Sequence, residues 1–286
     1  MRQKNSRSKI SLGLAALLAA LLLAPLAAEA KPPRNNKKPN KPGQTGQQQG
    51  QPPSTQSQGE PARAEQTPPP GLDGVDEKLW RYQTGDARNA LGRFMDQADS
   101  NGYVAMADGR VLDQEKKYGD AEARLRKATE LTPNDPAPFA YLGELYRHQR
   151  RDGDADNAYR RAADVARAKG GSQAAYYLGV AQQQLKQYDE AISTLQGASA
   201  PQPALVPYQV GVTRYFQGSW QAAVDQLNRA IDIDSGLAYA YYYRALAQDK
   251  LGHKDQLVND MSRFLALAPN APEAGQAKAI LNSVKH

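Results

Sequence analysis

Residues 136–169 read PAPFAYLGELYRHQRRDGDADNAYRRAADVARAK. The segment holds two amphipathic stretches, because large apolar residues recur every three or four positions on either side of a polar break. One small residue lies on each stretch, Gly143 and Ala155, where it lets two helix backbones approach closely. The pattern predicts two antiparallel helices joined by a short turn.

The same pattern returns along the chain with a nearly constant period. Its markers are Gly-Asp-Ala at 85–87, 119–121 and 153–155, followed by related triplets at 189–191, 221–223 and 255–257. Successive markers are 34, 34, 36, 32 and 34 residues apart. Because one helix pair cannot bury its apolar side alone, a repeated pair predicts a stack in which each unit covers its neighbour.

These units resemble the tetratricopeptide repeat (TPR) family. The family's pattern is W-x2-L-G-x2-Y, followed by Ala, a large apolar residue, Ala and Pro. The repeat that matches it best carries Phe139, Leu142, Gly143, Tyr146, Ala155, Tyr159 and Ala162. The resemblance extends over residues 72–286. It implies an all-α, right-handed solenoid of stacked helix-turn-helix units with a C-terminal capping helix. The composition of the segment that precedes the solenoid predicts a disordered tail.

The predicted organisation divides the chain into nine segments. They are a signal peptide at 1–30, a disordered Pro/Gln/Lys-rich linker at 31–71, a degenerate TPR-like unit at 72–101, TPR units at 102–135, 136–171, 172–203, 204–237 and 238–271, and a capping helix at 272–286.

The first thirty residues have the layout of an export signal. A cationic start, Met1 to Lys9, precedes the apolar run from Ile10 to Leu23 and the small-residue site at 28–30. This layout predicts a secretory signal peptide that is cleaved before Lys31, and hence a periplasmic or secreted protein. An uncleaved N-terminal anchor with the body facing the periplasm is the alternative, because 10–28 is about long enough to span a bilayer.

The segment after the signal contains no apolar side chain larger than Ala up to residue 70, so it cannot bury enough surface to fold. A passive spacer is one interpretation. The other uses five basic residues to contact an anionic envelope surface: Lys31, Arg34, Lys37, Lys38 and Lys41.

Composition excludes several classes of function. Ten of the 36 basic residues but only three of the 30 acidic ones lie in the first 70 positions. The net charge of +6 therefore belongs to the N-terminus, and net charge gives no support for a nucleic-acid-binding face on the repeats. The absence of cysteine excludes disulfides, thiolate nucleophiles and Cys-ligated zinc.

The resemblance also implies where a ligand would lie. In TPR solenoids the first helix of each pair lines the concave face, which here is rich in aromatic residues towards the C-terminus. The predicted peptide-groove residues are Tyr176, Tyr208, Tyr215, Phe216, Tyr239 and Tyr242. The competing interpretation is that several of them only pack between units. The carboxylate clamp of some family members is not expected, because matching positions such as Ala140 and Glu144 lack its charge pattern.

No motif predicts chemistry. The three histidines are His148, His253 and His286, and none has metal-ligand spacing. Phosphate-loop, dinucleotide and nucleophile-elbow motifs are absent from the sequence. We therefore expect a non-enzymatic protein without metal or cofactor. It would bind protein or peptide partners in envelope assembly or secretion, or else tether to wall or membrane through its basic tail.

Overall fold

A computed structural model of the protein describes residues 65–284. Within this range it is built of helices and contains no strand, as the sequence predicts. The predicted signal peptide and most of the predicted linker lie outside the described residues. No helix within 65–284 is long and apolar enough to cross a membrane.

Thirteen α-helices follow one another in antiparallel pairs over the described residues. The first helices of the pairs are α1 (Asp73–Trp80), α3 (Gly102–Gln114), α5 (Pro136–His148), α7 (Gly171–Gln184), α9 (Leu205–Phe216) and α11 (Ala238–Lys250). The second helices are α2 (Thr84–Leu91), α4 (Tyr118–Leu131), α6 (Asp152–Lys169), α8 (Tyr188–Gln196), α10 (Trp220–Ile233) and α12 (Lys254–Leu267). A final helix, α13 (Ala274–Val284), covers the end of the stack, and a 3-10 helix, Gly92–Gln97, extends α2.

In four of the pairs a glycine on the first helix lies in close contact with the second helix. A Cβ added to Gly143 would lie 2.8 Å from the Tyr159 ring, and one added to Gly179 would lie 2.6 Å from Leu195 Cγ. Gly109 and Gly211 have the same relation to Leu125 and Leu227. The sequence predicts that the two helices approach closely, and the structure agrees. They lie so close that only glycine fits opposite these side chains.

The helix ends follow from local sequence, with one departure. Asn101 and Asp135 cap α3 and α5 by accepting hydrogen bonds from first-turn amides. The helix α8 ends at Gln196, seven residues before Pro203, the proline with which the family pattern ends in this unit. Gly197 ends the helix instead, and Pro201 and Pro203 keep the following segment from extending it.

The last residues of the predicted linker are attached to the folded body. The side chain of Gln66 accepts a hydrogen bond from the Gly102 amide and donates one to the Ser100 carbonyl oxygen. Asn101 donates to the carbonyl oxygen of Thr67. Residues 65–71 therefore lie against the start of α3, which a reading by composition alone does not predict.

Candidate binding cavity

The concave side of the stack encloses a cavity of about 360 Å³, which we call the concave cavity. Its wall comes from the first helices α3, α5, α7, α9 and α11, together with the end of α1 and Glu273 just before α13. A volume of this size is at the lower end of the range for ligand pockets, roughly 300–1,000 Å³. It accommodates a few side chains rather than a whole helix.

The concave cavity is closed on one side by the first unit. The Arg81 Nε atom donates to Asp234, 3.1 Å away, and the Tyr82 ring lies 5.4 Å from the Tyr239 ring. These residues are separated by about 150 positions in sequence. We call this the closing contact. It joins the end of α1 to the start of α11, so the first unit bridges the inner side of the stack to the fifth TPR unit.

The predicted groove residues occupy different depths. Tyr176, Tyr208, Phe216 and Tyr239 line the concave cavity, whereas Tyr215 and Tyr242 do not. Only Phe216 among them is strongly exposed, at 46%. Tyr176 and Tyr242 are 2% and 4% exposed, and Tyr242 packs against Phe264 of α12 with ring centroids 5.0 Å apart. Packing between helices, the competing interpretation, therefore describes Tyr242.

Three tyrosines of the wall were not predicted. Tyr141, Tyr177 and Tyr243 line the concave cavity and hold the sixth position of their units. With Tyr208 they form what we call the tyrosine wall. The Tyr243 ring lies 6.3 Å from Tyr208 and 6.0 Å from Phe216. Tyrosine recurs at this position in three units, and this recurrence is visible in the sequence. It was missed because position six is not one of the concave positions that the family resemblance implies.

Two cations in the wall have partners of their own. The Arg110 guanidinium is 4.1 Å from the centroid of Tyr141 and 4.8 Å from that of Trp80, and it forms an ion pair with Asp76. The Arg147 guanidinium pairs with Asp152 and Asp156 at the rim. Both positive charges are therefore compensated within the chain.

His148 has a partner that the sequence did not indicate. Its Nδ1 lies 2.9 and 3.0 Å from the carboxylate oxygens of Asp113, one unit earlier. Burial by itself lowers the pKa of His148, but the hydrogen bond and charge of Asp113, with Glu144 and Glu273, outweigh it and raise the pKa to about 9. The imidazole is thus a cation at neutral pH, which favours a structural ion pair over a general base.

Two glutamates complete the lining. Glu144 is exposed to the solvent of the concave cavity, and Glu273 accepts a hydrogen bond from the Tyr239 hydroxyl. Desolvation by the surrounding protein raises the pKa of Glu144. The charges of Asp113 and Glu273 add to this shift, while His148 and Arg110 oppose it.

Comparison with known proteins supports the fold. No family model and no curated protein sequence matches the chain. Among solved structures, it resembles TTC0263, a thermophilic TPR protein of Thermus thermophilus, at 18% identity and a TM-score of 0.50, over 64% of this chain and 98% of that one. A tetratricopeptide repeat protein from Parabacteroides merdae matches at 12% identity and a TM-score of 0.50, over 75% and 83%. The fold is that of a TPR solenoid.

Another solved structure that the chain resembles is a larger protein. The APC/C hetero-tetramer Cut9-Hcn1 matches at 16% identity and a TM-score of 0.50 over 75% of this chain, which spans only 42% of the matched one. At these identities the likeness concerns the fold alone.

The centre of this TPR solenoid is polar as well as aromatic. Gln209 donates to the side-chain oxygen of Gln183 at 3.1 Å, and both are nearly buried in the wall. Within residues 65–284 no group of three His, Asp or Glu side chains is placed to hold a metal ion. The arrangement offers aromatic faces, amides and carboxylates, which are groups that recognise a ligand.

Proposed function

We propose that the protein is an exported scaffold that holds a segment of a partner protein in its concave cavity. The observation that supports this most is the tyrosine wall leading to the exposed ring of Phe216. Aromatic residues supply apolar contact area at low entropic cost, and Tyr adds a hydrogen-bonding hydroxyl. Aromatic residues at the mouth of a cavity are typical of a site that binds another molecule.

The place of action follows from the N-terminal segment of the sequence. The signal layout of residues 1–30 supports export to the periplasm or beyond, with an uncleaved anchor as the alternative. We propose a role in assembly of the bacterial cell envelope or in secretion. Fractionation of cells tests this, because an exported protein is found in the periplasm or medium and starts at Lys31 if the signal is cleaved.

Alanine substitution tests the binding site. Phe216→Ala and Tyr208→Ala, made separately in the full chain, should reduce co-purification of partners from the envelope fraction by about tenfold or more. Trp220→Ala and Ile233→Ala are matched controls, because both side chains are exposed, at 37% and 54%, and lie outside the concave cavity. Unchanged co-purification in the first pair of folded variants would contradict the proposal.

A second function is supported by the charge of the tail. Five basic residues between Lys31 and Lys41 favour binding to phospholipid head groups or an anionic wall polymer. Replacing all five with Gln separates the two functions. Loss of envelope association with retained partner binding would assign tethering to the tail.

A further inference from the structure

The concave cavity contains two carboxylates that form no ion pair with the described part of the chain. Among the described residues no Lys, Arg or His forms an ion pair with Glu144 or Glu273, although Glu273 accepts the hydroxyl of Tyr239. The cations of the wall are already paired, since Arg110 binds Asp76 and His148 binds Asp113. The interior of the cavity therefore has an excess of negative charge.

Aromatic rings share the lining of the cavity with these two carboxylates. The rings of Tyr208 and Tyr243 line the same cavity as Glu144. Burial raises the pKa of both tyrosines, and the negative charge of Glu144 adds to each shift. An aromatic face attracts a cation by its quadrupole, with about 0.5–2 kcal/mol per contact depending on solvation. Rings and an unpaired carboxylate together form a site that favours a cation.

The wall already holds one cation in this manner. The guanidinium of Arg110 lies over the rings of both Trp80 and Tyr141 and pairs with Asp76. Glu144, three residues after Tyr141 on α5, lines the same cavity but forms no ion pair with a guanidinium or ammonium of the described part of the chain. Glu144 is open to solvent, so a side chain can reach it from outside.

We propose that the concave cavity binds an arginine or lysine side chain of the partner protein, with Glu144 as the residue that pairs with it. This inference rests on the proposed function and specifies the chemistry of its ligand. A cavity of about 360 Å³ fits one long cationic side chain and its neighbours, while the partner's backbone lies across the mouth near Phe216.

The electrostatic surroundings of Glu144 also favour a bound cation. The charges that face it are Arg110 and Asp113 of α3, His148 of α5, and Glu273 before α13. Desolvation and the two acids outweigh the two cations, so the pKa of Glu144 is raised. A ligand cation would relieve this cost, and affinity should fall as acid protonates Glu144 at a pH above the usual range for glutamate.

Peptide selection on the immobilised full chain tests the inference. A library of random peptides should yield binders that share Arg or Lys. In the tightest binder, replacing that Arg with citrulline, its neutral isostere, should weaken binding about tenfold or more. Glu144→Gln should weaken binding of the Arg peptide similarly and abolish the discrimination against citrulline. Glu190→Gln, an exposed acid of α8 outside the cavity, is the matched control and should change neither.

The outcomes separate this inference from the proposed function. Peptides that lose affinity with Phe216→Ala but bind equally with Arg or citrulline would overturn the cationic ligand and leave the scaffold function standing. A failure of all peptides to bind the wild-type chain and its variants would overturn both.

Other occupants give distinct results. If cationic peptides bind only after Lys31, Arg34, Lys37, Lys38 and Lys41 are replaced with Gln in the full chain, the occupant is the chain's own basic segment. If arginine amide alone binds as tightly as the selected peptide, the site takes a small cation. Either result overturns a partner's side chain as the ligand.

Discussion

At the residue scale, the ends of the first helices show one recurring backbone conformation. Tyr82, Lys116, Arg150 and Lys186 take positive φ values between 58° and 65°, and Gly218 and Gly252 hold the equivalent places of later units. In every unit the next amide bonds back to the carbonyl five residues before it, such as Lys117 N to Leu112 O at 2.9 Å. This is the Schellman ending of a helix, which favours glycine at the left-handed position.

Lys116→Gly should therefore stabilise the protein. The left-handed conformation costs a residue with a Cβ about 1 kcal/mol, and glycine removes most of that cost despite its greater freedom in the unfolded chain. We expect the free energy of unfolding in urea to rise by about 0.5 kcal/mol. The reverse change, Gly252→Ala, should lower it, and equal effects of the two substitutions would contradict this explanation.

The ion pair of His148 should make stability depend on pH. The pKa of His148 is raised to about 9, so the folded state binds a proton more tightly than the unfolded state does. The stabilisation is complete below the ordinary histidine pKa of about 6.5 and is lost as pH rises through 9. It amounts to at most about 3 kcal/mol.

Nuclear magnetic resonance titration of the three histidines measures this directly. One imidazole should titrate near pH 9, and its signal should disappear in His148→Gln. The difference in unfolding free energy between wild type and His148→Gln should shrink between pH 6 and pH 9.5. Titration of His148 near pH 6.5 would show that Asp113 does not hold it as a cation.

At the element scale, the crossing of the paired helices is set by residues sixteen positions apart. Gly109, Gly143, Gly179 and Gly211 face Leu125, Tyr159, Leu195 and Leu227. The fifth TPR unit has Ala245 in the place of the glycine and Met261 in the place of the large residue, and both are fully buried. A Cβ is thus accommodated where the facing side chain is unbranched and flexible.

Gly179→Ala should lower the free energy of unfolding by about 1–3 kcal/mol, because the new Cβ would lie 2.6 Å from Leu195 Cγ. Adding Leu195→Met should recover part of this loss by copying the pair of the fifth unit. Gly153→Ala is the control, since a Cβ there meets no atom within 4 Å. Equal effects of Gly179→Ala and Gly153→Ala would show that the crossing is looser than described.

At the scale of the whole molecule, the closing contact bounds one side of the concave cavity. Arg81 bridges Glu77 of its own helix and Asp234 after α10, while Tyr82 packs against Tyr239. The side chain of Arg81 is 35% exposed, so its ion pairs contribute little, about 0.2–1 kcal/mol. A contact of this strength can open to admit a ligand.

Arg81→Ala should loosen the first unit without unfolding the stack. Hydrogen exchange of the amides in α1 should accelerate about two- to fivefold, while exchange in α5 and α6 stays unchanged. Arg160→Ala, which removes an exposed arginine of α6, is the matched control. Uniform acceleration throughout the chain would mean that the first unit is not a separate closing element.

The sequence predicts the repeated elements better than the cavity that they form. The period, the recurring glycines of the first helices and the amphipathic stripes predict the helix pairs, because each pair is formed by residues at fixed spacing in the sequence. The contact of Arg81 with Asp234 has no local signal, since it arises from curvature accumulated over five units. The burial of Tyr242 against Phe264 of the same helix pair was also not predicted, because the family's concave positions do not show which aromatic rings turn towards the second helix.

Photo-cross-linking tests most directly whether the partner is held in the concave cavity. A photoreactive phenylalanine analogue is introduced into the full chain at Phe216, which lines the cavity, or at Trp220, which is exposed outside it. We predict that irradiation of living cells gives a covalent partner adduct from position 216 and none from position 220. An adduct from 220 without one from 216 would contradict binding in the concave cavity.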